Sequence, residues 1–483
     1  MMDHIKNFIN GKFTDPVSGK YLDVYEPATG EVYCRTPASG KNDVEEAYVA
    51  AQSAFPSWSQ MPVDERADIL DAIANGIEAD FDTLAAAESR DTGKPVSLAR
   101  SVDLPRAISN FHTFADMVRK FNGQKFESKE FGSNTINYEP LGVVGCISPW
   151  NLPLYLFSWK IAPALATGNC VIGKPSELTP FTAQELGRIS KTAGLPDGVL
   201  NIIHGSGPEA GSAITTHPGI KAISFTGGTK TGAIISRAVA PHFKKLSLEL
   251  GGKNPNIIFS DCDFERMLET TLRSSFSNQG EICLCGSRIL VEEKIYEEFR
   301  DKFIARTNQL IVGDPMSKES DLGALISEAH LEKVKNYIQL AKDEGGSILA
   351  GGERFLVNSR CKNGWFISPT IIEGLGPECR TNQEEIFGPV VTLIPFSSEE
   401  ESVEIANATE YGLSASIWTD DLAKAERIAN KIESGVVWIN CWMVRDLRTP
   451  FGGMKNSGLG REGGEEAFRF FTEAKTVCIK AED

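Results

Sequence analysis

Residues 221–236, KAISFTGGTKTGAIIS, lead from a short apolar run through a glycine-rich turn into a stretch with helical spacing. A turn of this kind between a strand and a helix brings main-chain amides towards a phosphate. The loop HGSGPEAG (204–211) follows another apolar run in the same way. Neither loop matches GxGxxG, and a glycine turn alone is weak support for a nucleotide site. Together the two loops predict repeated strand–turn–helix units.

The same alternation extends from this unit in both directions. Apolar runs separated by helical segments lie at 142–147, 170–172, 198–203 and 222–225. In the second half, strands are predicted at 288–291, 390–395, 414–418 and 435–440, and helices at 263–277, 294–309 and 329–344. Helices are also predicted at 43–55 and 64–90, with Asp64 as a cap. This alternation favours an α/β fold, a mostly parallel sheet with helices on both faces.

Size and composition limit the functional classes. The 483 residues suggest two or three domains. The net charge of −16 argues against nucleic acid or an anionic membrane surface as the main partner. The ten cysteines have no regular spacing and the six histidines form no metal-binding array, which predicts a cytoplasmic protein without a metal site. Prolines and Lys160 interrupt the most apolar stretch, 140–174, so no membrane span is predicted, and the N-terminal segment is not a signal peptide.

A cysteine in a polar turn is the first candidate for chemistry. Cys283 lies in FSNQGEICLCGSR (276–288), after a predicted helix. Most internal cysteines only pack in the core, but a small thiolate fraction is strongly nucleophilic. Cys285 is predicted to face the other way in extended backbone and to pack. Redox protection of Cys283 is a weaker alternative for it.

Two polar residues stand beside glycines or prolines in otherwise apolar surroundings. Glu249 ends a β-like run and meets Gly251 and Gly252, which suggests a pocket where main chain approaches a ligand. A solvated acid at a strand end is the alternative. Asn151 lies between prolines in SPWNLP (148–153), so its amide either braces the turn or donates to a ligand.

These segments coincide with the motifs of a known family. The chain resembles the NAD(P)-dependent aldehyde dehydrogenase superfamily over essentially its whole length. The motifs that carry the resemblance are PWNLP (149–153), KPSE (174–177), FTGGTKTG (225–232), LELGGKNP (248–255), NQGEICLCGSR (278–288), EEIFGP (384–389) and PFGGMKNSG (450–458). Their order and intervals make the match specific.

The resemblance implies a catalytic role for each of three residues. Cys283 is similar to the family's nucleophile and Glu249 to the base that activates water for deacylation. Asn151 corresponds to the side-chain half of the oxyanion hole, and the main-chain N–H of Cys283 to the other half. Attack on a small aldehyde would form a thiohemiacetal, hydride transfer would leave a thioester, and hydrolysis would release the acid.

The resemblance also implies NAD as the cofactor. The positions that match cofactor contacts are Trp150, Lys174, Glu177, Gly207, Phe225, Gly227, Gly228, Gly232, Glu385 and Phe387. Lys174 and Glu177 match the residues at the adenosine ribose, and Glu385 matches the acid at the nicotinamide ribose. An ionised Glu177 near the 2′ position would repel a 2′-phosphate, which favours NAD over NADP.

Three structural units follow from the same resemblance. A Rossmann-like NAD-binding domain would comprise 1–121 and 141–251, with 448–465 returning to it. An α/β catalytic domain would comprise 252–447, and a small β oligomerisation arm 122–140 and 466–483. The final residues, AKTVCIKAED, alternate as an edge strand does, and such strands often pair with another chain. A homodimer or homotetramer is therefore predicted.

Two positions depart from the common family pattern. Serine often stands where Gly228 is found, so one hydroxyl contact to the pyrophosphate is missing here. Glutamine often stands where Glu281 is found, two residues before Cys283. A carboxylate there would oppose thiolate formation unless it is paired or turned away. Both departures are interpreted as tuning.

Within the family, the chain is most similar to dehydrogenases of muconic semialdehydes, the 2-aminomuconic type first and the 2-hydroxymuconic type next. The similarity lies in SVDLPRAISNF (101–111), NQGEICLC (278–285) and WINCWMVRDLRTPFGG (438–453). These enzymes accept semialdehydes that bear a carboxylate held by arginines, and Arg106 and Arg445 match those positions.

The predicted position of Arg106 in a helix adds one argument for its role in the site. Pro105 suits the first helical position, so Arg106 is predicted in a first turn, where a cation opposes the helix dipole and suggests a functional site. A solvent-facing arginine is the alternative for Arg106, and Arg448 is a possible substitute for Arg445.

Two other hypotheses for the function stay open. The protein could be a dehydrogenase of another aldehyde such as betaine aldehyde, or a non-catalytic protein that kept the fold.

Overall fold

The computed structural model describes residues 3–480, and its largest sheet contains the strands predicted around the glycine turns. Its eight strands lie in the order Gly458–Leu459, Lys245–Glu249, Ala222–Thr226, Val143–Ile147, Cys170–Lys174, Leu200–Ile202, Asn7–Ile9 and Lys12–Thr14. The five strands from Lys245–Glu249 to Leu200–Ile202 are parallel, and the outer pairs are antiparallel. The carboxyl ends of the parallel strands therefore meet at one edge of the sheet.

Helices alternate with these strands and bury a shared apolar core. The longer ones are Lys41–Gln60, Val63–Ala79, Phe81–Thr92, Leu104–Val118, Pro153–Ala166, Phe181–Thr192 and Thr229–Val239. Trp58, Phe111 and Trp159 are among the largest buried side chains of this core. The predicted helix at 64–90 is two helices that meet at Asp80, and Asp64 lies inside the first turn instead of capping it.

The second large sheet belongs to the other half of the chain. Its seven strands lie in the order Ser347–Ala350, Thr370–Glu373, Val390–Phe396, Arg288–Glu292, Pro255–Ile258, Ser414–Trp418 and Val436–Ile439. All neighbours are parallel except the first pair. The accompanying helices are Phe264–Phe276, Tyr296–Thr307, Glu328–Asp343, Glu399–Asn407 and Leu422–Ala429.

A third, exposed sheet joins two distant segments. The strand Thr472–Ile479 pairs antiparallel with Gly132–Pro140, which also pairs with Gln124–Ser128. The predicted terminal strand is thus present, while residues 481–483 of the same prediction lie outside the described residues. A further small sheet contains Asp3–His4, Glu31–Pro37 and Tyr21–Glu26. The three predicted domain ranges remain our proposal for the domain boundaries.

The helix that carries Arg106 differs from the prediction. Leu104–Val118 continues directly from Val96–Leu98 through a π-helical turn, Ala99–Asp103. Leu104 is therefore not a free helix start, and the argument that Arg106 opposes a helix dipole in a first turn was wrong. None of the helices within residues 3–480 is both long enough and apolar enough to cross a membrane.

Candidate active site

A cavity of about 260 Å³ lies at the carboxyl ends of the strands Ala222–Thr226 and Lys245–Glu249. Ligands bind at this edge of parallel α/β sheets because loops and helix N-termini converge there. Both halves of the chain line the cavity, through Pro149, Trp150, Asn151, Leu156, Thr226, Gly227, Gly228, Leu250, Gly251, Cys283, His330, Lys333, Glu385 and Phe387. Cys283 and Asn151, which were predicted to act on one carbonyl, face the same space.

The loop before Cys283 has an unusual backbone. Asn278 and Gln279 follow the helix Phe264–Phe276 in left-handed conformations, with φ of 53° and 54°. Such angles are unfavourable for residues with a side chain and persist where other contacts fix them. Gln279 donates to the main-chain oxygen of Ala324 and accepts from the amide of Gly323, each at 3.2 Å. This loop delivers Cys283 to the cavity.

Hydrogen bonds tie this loop to the turn that carries Asn151. The Asn278 amide donates to the main-chain oxygens of Asn151 at 3.2 Å and Glu281 at 3.1 Å. The Asn151 amide donates to the same Glu281 oxygen at 2.8 Å. A side-chain amide has two N–H groups, so Asn151 retains one for a ligand in the cavity.

Cys283 is partly exposed to the cavity, and its environment disfavours the thiolate. Burial raises the pKa of its thiol well above the ordinary value, and the nearby carboxylates Glu385 and Glu249 raise this pKa further, while Arg445 lowers it. Cys285 is buried and lies in a turn, with its N–H bonded to Ile282, so the predicted extended backbone is absent there. Its packing role is consistent with this position.

Glu249 is a buried carboxyl at the end of its strand. Neither of its oxygens has a hydrogen-bond partner among the described residues, and a Cβ on Gly452 would come within 2.8 Å of Oε1. Burial, and then the charge of Glu462, raises the pKa of Glu249 well above its usual range. Glu462 itself is paired with Lys160 at 2.6 Å. Among the described residues, Glu249 does not itself line the cavity, but its carboxylate is close enough to Cys283 to raise the pKa of the thiol.

The glycine turn leaves the start of a helix open. Gly228 precedes the helix Thr229–Val239 and provides no side-chain cap, so the first amides of the helix remain free for an anion. Added Cβ atoms at Gly227 and Gly232 would collide with Phe225 and Leu250, at 2.4 and 2.7 Å. Gly228 has open space beside it. Gly207 is exposed at the start of the turn Gly207–Gly211.

Lys174 and Glu177 form an ion pair at the carboxyl end of the strand Cys170–Lys174. The buried Lys174 ammonium lies 3.2 Å from Glu177 Oε2 and donates to the main-chain oxygen of Pro175 at 3.0 Å. Burial lowers the pKa of Lys174, and the charge of Glu177 opposes this effect. The pair presents a donor and an acceptor of the kind that bind sugar hydroxyls.

Glu385 and two aromatic rings close the other side of the cavity. Glu385 accepts from the Gly252 amide at 2.8 Å, and burial raises its pKa. Trp150 makes edge contacts with Phe387 and His330, with ring centroids 5.4 Å apart in both cases. Phe387 adopts a φ of 62°, and its main-chain oxygen lies 2.6 Å from His330 Nε2.

Glu281, the unusual residue near the nucleophile, is bound to neighbouring main chain. Its carboxyl accepts from the amide of Ile326 at 3.1 Å and lies 3.6 Å from Nε2 of His330. Burial raises the pKa of Glu281 well above its usual range. Its hydrogen bond with the Ile326 amide is a pairing of the kind under which a carboxyl at this position need not oppose the thiolate of Cys283.

Comparisons with known proteins agree with this arrangement. The family model described as "Aldehyde dehydrogenase family" matches residues 13–477. This chain belongs to the aldehyde dehydrogenase family. Fold class and enzyme class were therefore predicted correctly from the sequence.

Individual relatives show how far the similarity extends. The chain is 48% identical over 479 residues to "2-aminomuconic semialdehyde dehydrogenase" of Homo sapiens, which covers 99% of this chain and 98% of that protein. It is 46% identical over 485 residues to "2-hydroxymuconic semialdehyde dehydrogenase" of Pseudomonas sp. (strain CF600), with coverages of 99% and 100%. A solved structure of an aldehyde dehydrogenase from Bacillus cereus in complex with NAD+ is 40% identical, with a TM-score of 0.96 and coverages of 99% and 97%.

A second, larger cavity of this aldehyde dehydrogenase contains both predicted substrate arginines. Its volume is about 1350 Å³, and Arg106, Arg445 and Arg448 line it. Arg445 donates to the Tyr155 hydroxyl at 3.3 Å, whereas its Nε and Nη2 are buried and have no hydrogen-bond partner among the described residues. The guanidinium stacks on Phe451, 3.7 Å from the ring centroid. The two buried donors without partners among the described residues make Arg445 a candidate for binding an anion.

The two other arginines are placed differently. Arg106 is half-buried, and its guanidinium lies 5.5 Å from the centroid of the Tyr155 ring. Arg448 is exposed and paired with Asp446 through several hydrogen bonds, so it is a poor substitute for Arg445. Tyr155 therefore contacts both Arg106 and Arg445.

Sequence reasoning did not single out Tyr155, Lys94, His330 or Lys333 of the dehydrogenase. A signal for Tyr155 was available, because it lies four residues after Asn151 and four before Trp159, on one face of a predicted helical stretch. Lys94 and His330 reach the site through the tertiary fold alone, so no local pattern marks them.

Proposed function

We propose that this aldehyde dehydrogenase oxidises a carboxylate-bearing semialdehyde, of the 2-aminomuconate 6-semialdehyde type, to the acid with NAD. The observation that carries the proposal is the Arg445 guanidinium, whose Nε and Nη2 are buried and have no hydrogen-bond partner within residues 3–480. Burying a charge without a counterion is costly, and a substrate carboxylate would complete this site through a bidentate contact. The names of the two muconic semialdehyde relatives agree with such a substrate.

The residues at the smaller cavity suit a dinucleotide. The open helix start after Gly228 offers amides to a pyrophosphate. Lys174 and Glu177 would meet the adenosine ribose hydroxyls, and Glu385 those of the nicotinamide ribose. When bound beside Cys283, the nicotinamide supplies the acceptor for the hydride of the aldehyde carbon. A carboxylate at Glu177 would repel a 2′-phosphate, so we propose NAD instead of NADP.

The reaction follows from Cys283 and Asn151, which face the cavity, and from Glu249, whose carboxylate acts on Cys283. The Cys283 thiolate attacks the aldehyde carbon, and the carbonyl oxygen becomes an oxyanion. The free N–H of Asn151 and the main-chain N–H of Cys283 stabilise this charge, an effect on the order of 100- to 1,000-fold in rate for one donor. After oxidation, Glu249 takes a proton from water, which hydrolyses the Cys283 thioester and releases the acid.

We further propose that the chain is a cytoplasmic homodimer or homotetramer. The exposed strand Thr472–Ile479 is one of the two edge strands of the sheet that it forms with Gly132–Pro140 and Gln124–Ser128, and another copy can extend the sheet at this edge. Cys283 and Cys285, two residues apart, are free thiols in the part of the chain that the structure describes, as expected in a reducing compartment.

A panel of aldehydes tests the substrate class. NADH formation should be most efficient, by kcat/KM, with a carboxylated muconic semialdehyde, lower with hexanal, and lowest with the cationic betaine aldehyde, because Arg445 repels a cation. Cys283→Ala should bind NAD but form no NADH. Equal efficiency for all three aldehydes would reject the carboxylate proposal, and no turnover with any of them would favour a non-catalytic protein.

A further inference from the structure

Lys94 is a fully buried lysine whose ammonium reaches the turn that carries Asn151. Its Nζ donates to the main-chain oxygen of Asn151 and to Oδ2 of Asp103, each at 2.8 Å. Both side chains of the ion pair are 0% exposed. Desolvation of two charges is expensive and is not by itself a source of stability, so a buried pair at a reaction site points to a geometric role.

Asp103 connects this pair to the substrate side of the protein. It ends the π-helical turn Ala99–Asp103, which interrupts an otherwise α-helical run. A π turn inserts an extra residue and is frequent at functional sites. Here it places Asp103 against Lys94, while Val102 and Arg106 of the same helical run line the larger cavity. Lys94 therefore joins the helix that faces the substrate to the turn that holds Asn151.

Other hydrogen bonds fix the same turn from different directions. The Asn278 amide also donates to the Asn151 oxygen, at 3.2 Å, so the Lys94 bond is the shorter of the two. The amide of Leu154 donates to Glu88 at 3.0 Å, where the helix Pro153–Ala166 begins, and Glu88 also accepts from Thr182. The main chain around Asn151 is thus held at its oxygen and at the following helix start.

We propose that Lys94, held by Asp103, is a positioning residue that fixes the main chain of Asn151 and thereby aims its free amide N–H at the oxyanion. Catalytic hydrogen bonds are sensitive to small displacements, and a shift of about 1 Å can cost on the order of 100-fold in rate. This role of Lys94 depends on the oxyanion role proposed above for Asn151.

The test removes both charges of the Lys94–Asp103 ion pair together. In Lys94→Met/Asp103→Asn, both charges are lost and the volumes are nearly retained. The rate of the first NADH turnover and kcat with hexanal should fall at least about 10-fold, while KM for NAD and for hexanal stay within about twofold. The single variant Asp103→Asn keeps Lys94 but removes the carboxylate that holds it. Its kcat should also fall, by less than that of the double variant. NAD binding and thermal unfolding of each variant show that it is folded.

Lys244 provides a matched control. Its Nζ also donates to two main-chain oxygens, those of Thr215 and His217 at 2.8 and 2.6 Å. Neither of these residues lines either cavity of the site, whereas Asn151, which Lys94 binds, lines the smaller one. Lys244→Met should therefore leave kcat unchanged even though it, too, removes a lysine that clamps main chain. A fall in kcat equal to that of the Lys94 variant would contradict a specific positioning role.

A double-mutant cycle with Asn151→Ala separates positioning from general stability. The Asn151→Ala variant has no side-chain amide for Lys94 to position. In that variant, the Lys94 and Asp103 substitutions should therefore reduce kcat less than twofold. The same fold-loss in both backgrounds, or no loss of kcat in either, would overturn the proposal for Lys94. If Asn151→Ala itself kept full kcat, the proposed oxyanion role of Asn151 would be rejected, and with it the role of Lys94, which depends on it. The kcat of this single variant therefore distinguishes that failure from a failure of the Lys94 proposal alone.

Discussion

The side-chain amide of Asn151 lies 2.8 Å from the main-chain oxygen of Glu281, two residues before Cys283. One N–H of the amide thus holds the nucleophile loop, and the second remains available to the cavity. The position of the oxyanion donor and the position of the nucleophile are therefore coupled. A change at either residue should disturb both, which distinguishes this site from one built of independent side chains.

Asn151→Ala should lower kcat by roughly 100- to 1,000-fold, because it removes an oxyanion donor. The loss should appear in kcat and kcat/KM with little change in KM for NAD, as measured by steady-state NADH formation. Asn358→Ala, a change of an exposed asparagine elsewhere, is the control. A large rise in KM for NAD with unchanged kcat would assign Asn151 to cofactor binding instead.

Glu249→Gln should trap the acyl-enzyme, because the amide cannot take a proton from water. The first turnover should still release NADH, as a burst, after which the steady rate should be very low. Mass spectrometry of the reacted protein should show the acyl group as an added mass on the peptide that contains Cys283. A normal steady rate, or a burst without that added mass, would remove Glu249 from the deacylation step.

Activity should rise with pH across the neutral and mildly alkaline range. Burial raises the pKa of the Cys283 thiol and of the Glu249 carboxyl. Both groups act in their deprotonated forms, and a raised pKa means that these forms become populated only as pH increases. A profile of kcat/KM against pH with hexanal measures this, and a maximum at acidic pH would contradict it.

The overall α/β fold could be predicted because helix–strand alternation is a local property of the sequence. The strand Arg288–Glu292 and the helix Glu328–Asp343 lie within two residues of their predictions. The setting of Arg106 could not be predicted, because a π-helical turn before Leu104 leaves no mark in apolar spacing. The candidate site could be predicted only from the family motifs, because its residues are far apart in the chain and no local pattern connects them.

Lys94 shows the limit of sequence reasoning most clearly. Its partners are Asp103, nine residues away, and Asn151, 57 residues away. Neither spacing corresponds to a helical or strand repeat, so the buried pair is a product of tertiary packing. Glu281 is a related case, because the sequence shows a carboxyl beside the nucleophile but not the Ile326 amide that binds it.

Glu281→Gln should leave kcat within about twofold near neutral pH. Burial raises the pKa of Glu281 and so disfavours its charged form, and a glutamine oxygen can accept the same bond from Ile326. Glu281→Leu, which has no acceptor, should lose more activity because a buried amide is left unsatisfied. Equal effects of both changes on kcat would show that the hydrogen bond is not what matters at this position.

Arg445→Met should separate recognition of the substrate carboxylate from the chemistry. The variant removes two buried donors that have no partner among the residues that the structure describes. We therefore expect kcat/KM for a carboxylated semialdehyde to fall by a hundredfold or more, about 3 kcal/mol for a charged contact. Hexanal should lose far less, and its remaining loss should shrink at higher pH, because Arg445 also lowers the pKa of Cys283 and of Glu249. Arg448→Met is the control, since Asp446 already occupies that guanidinium. Equal losses for both aldehydes at every pH would mean that Arg445 acts only through its charge on the reacting groups and does not bind the substrate.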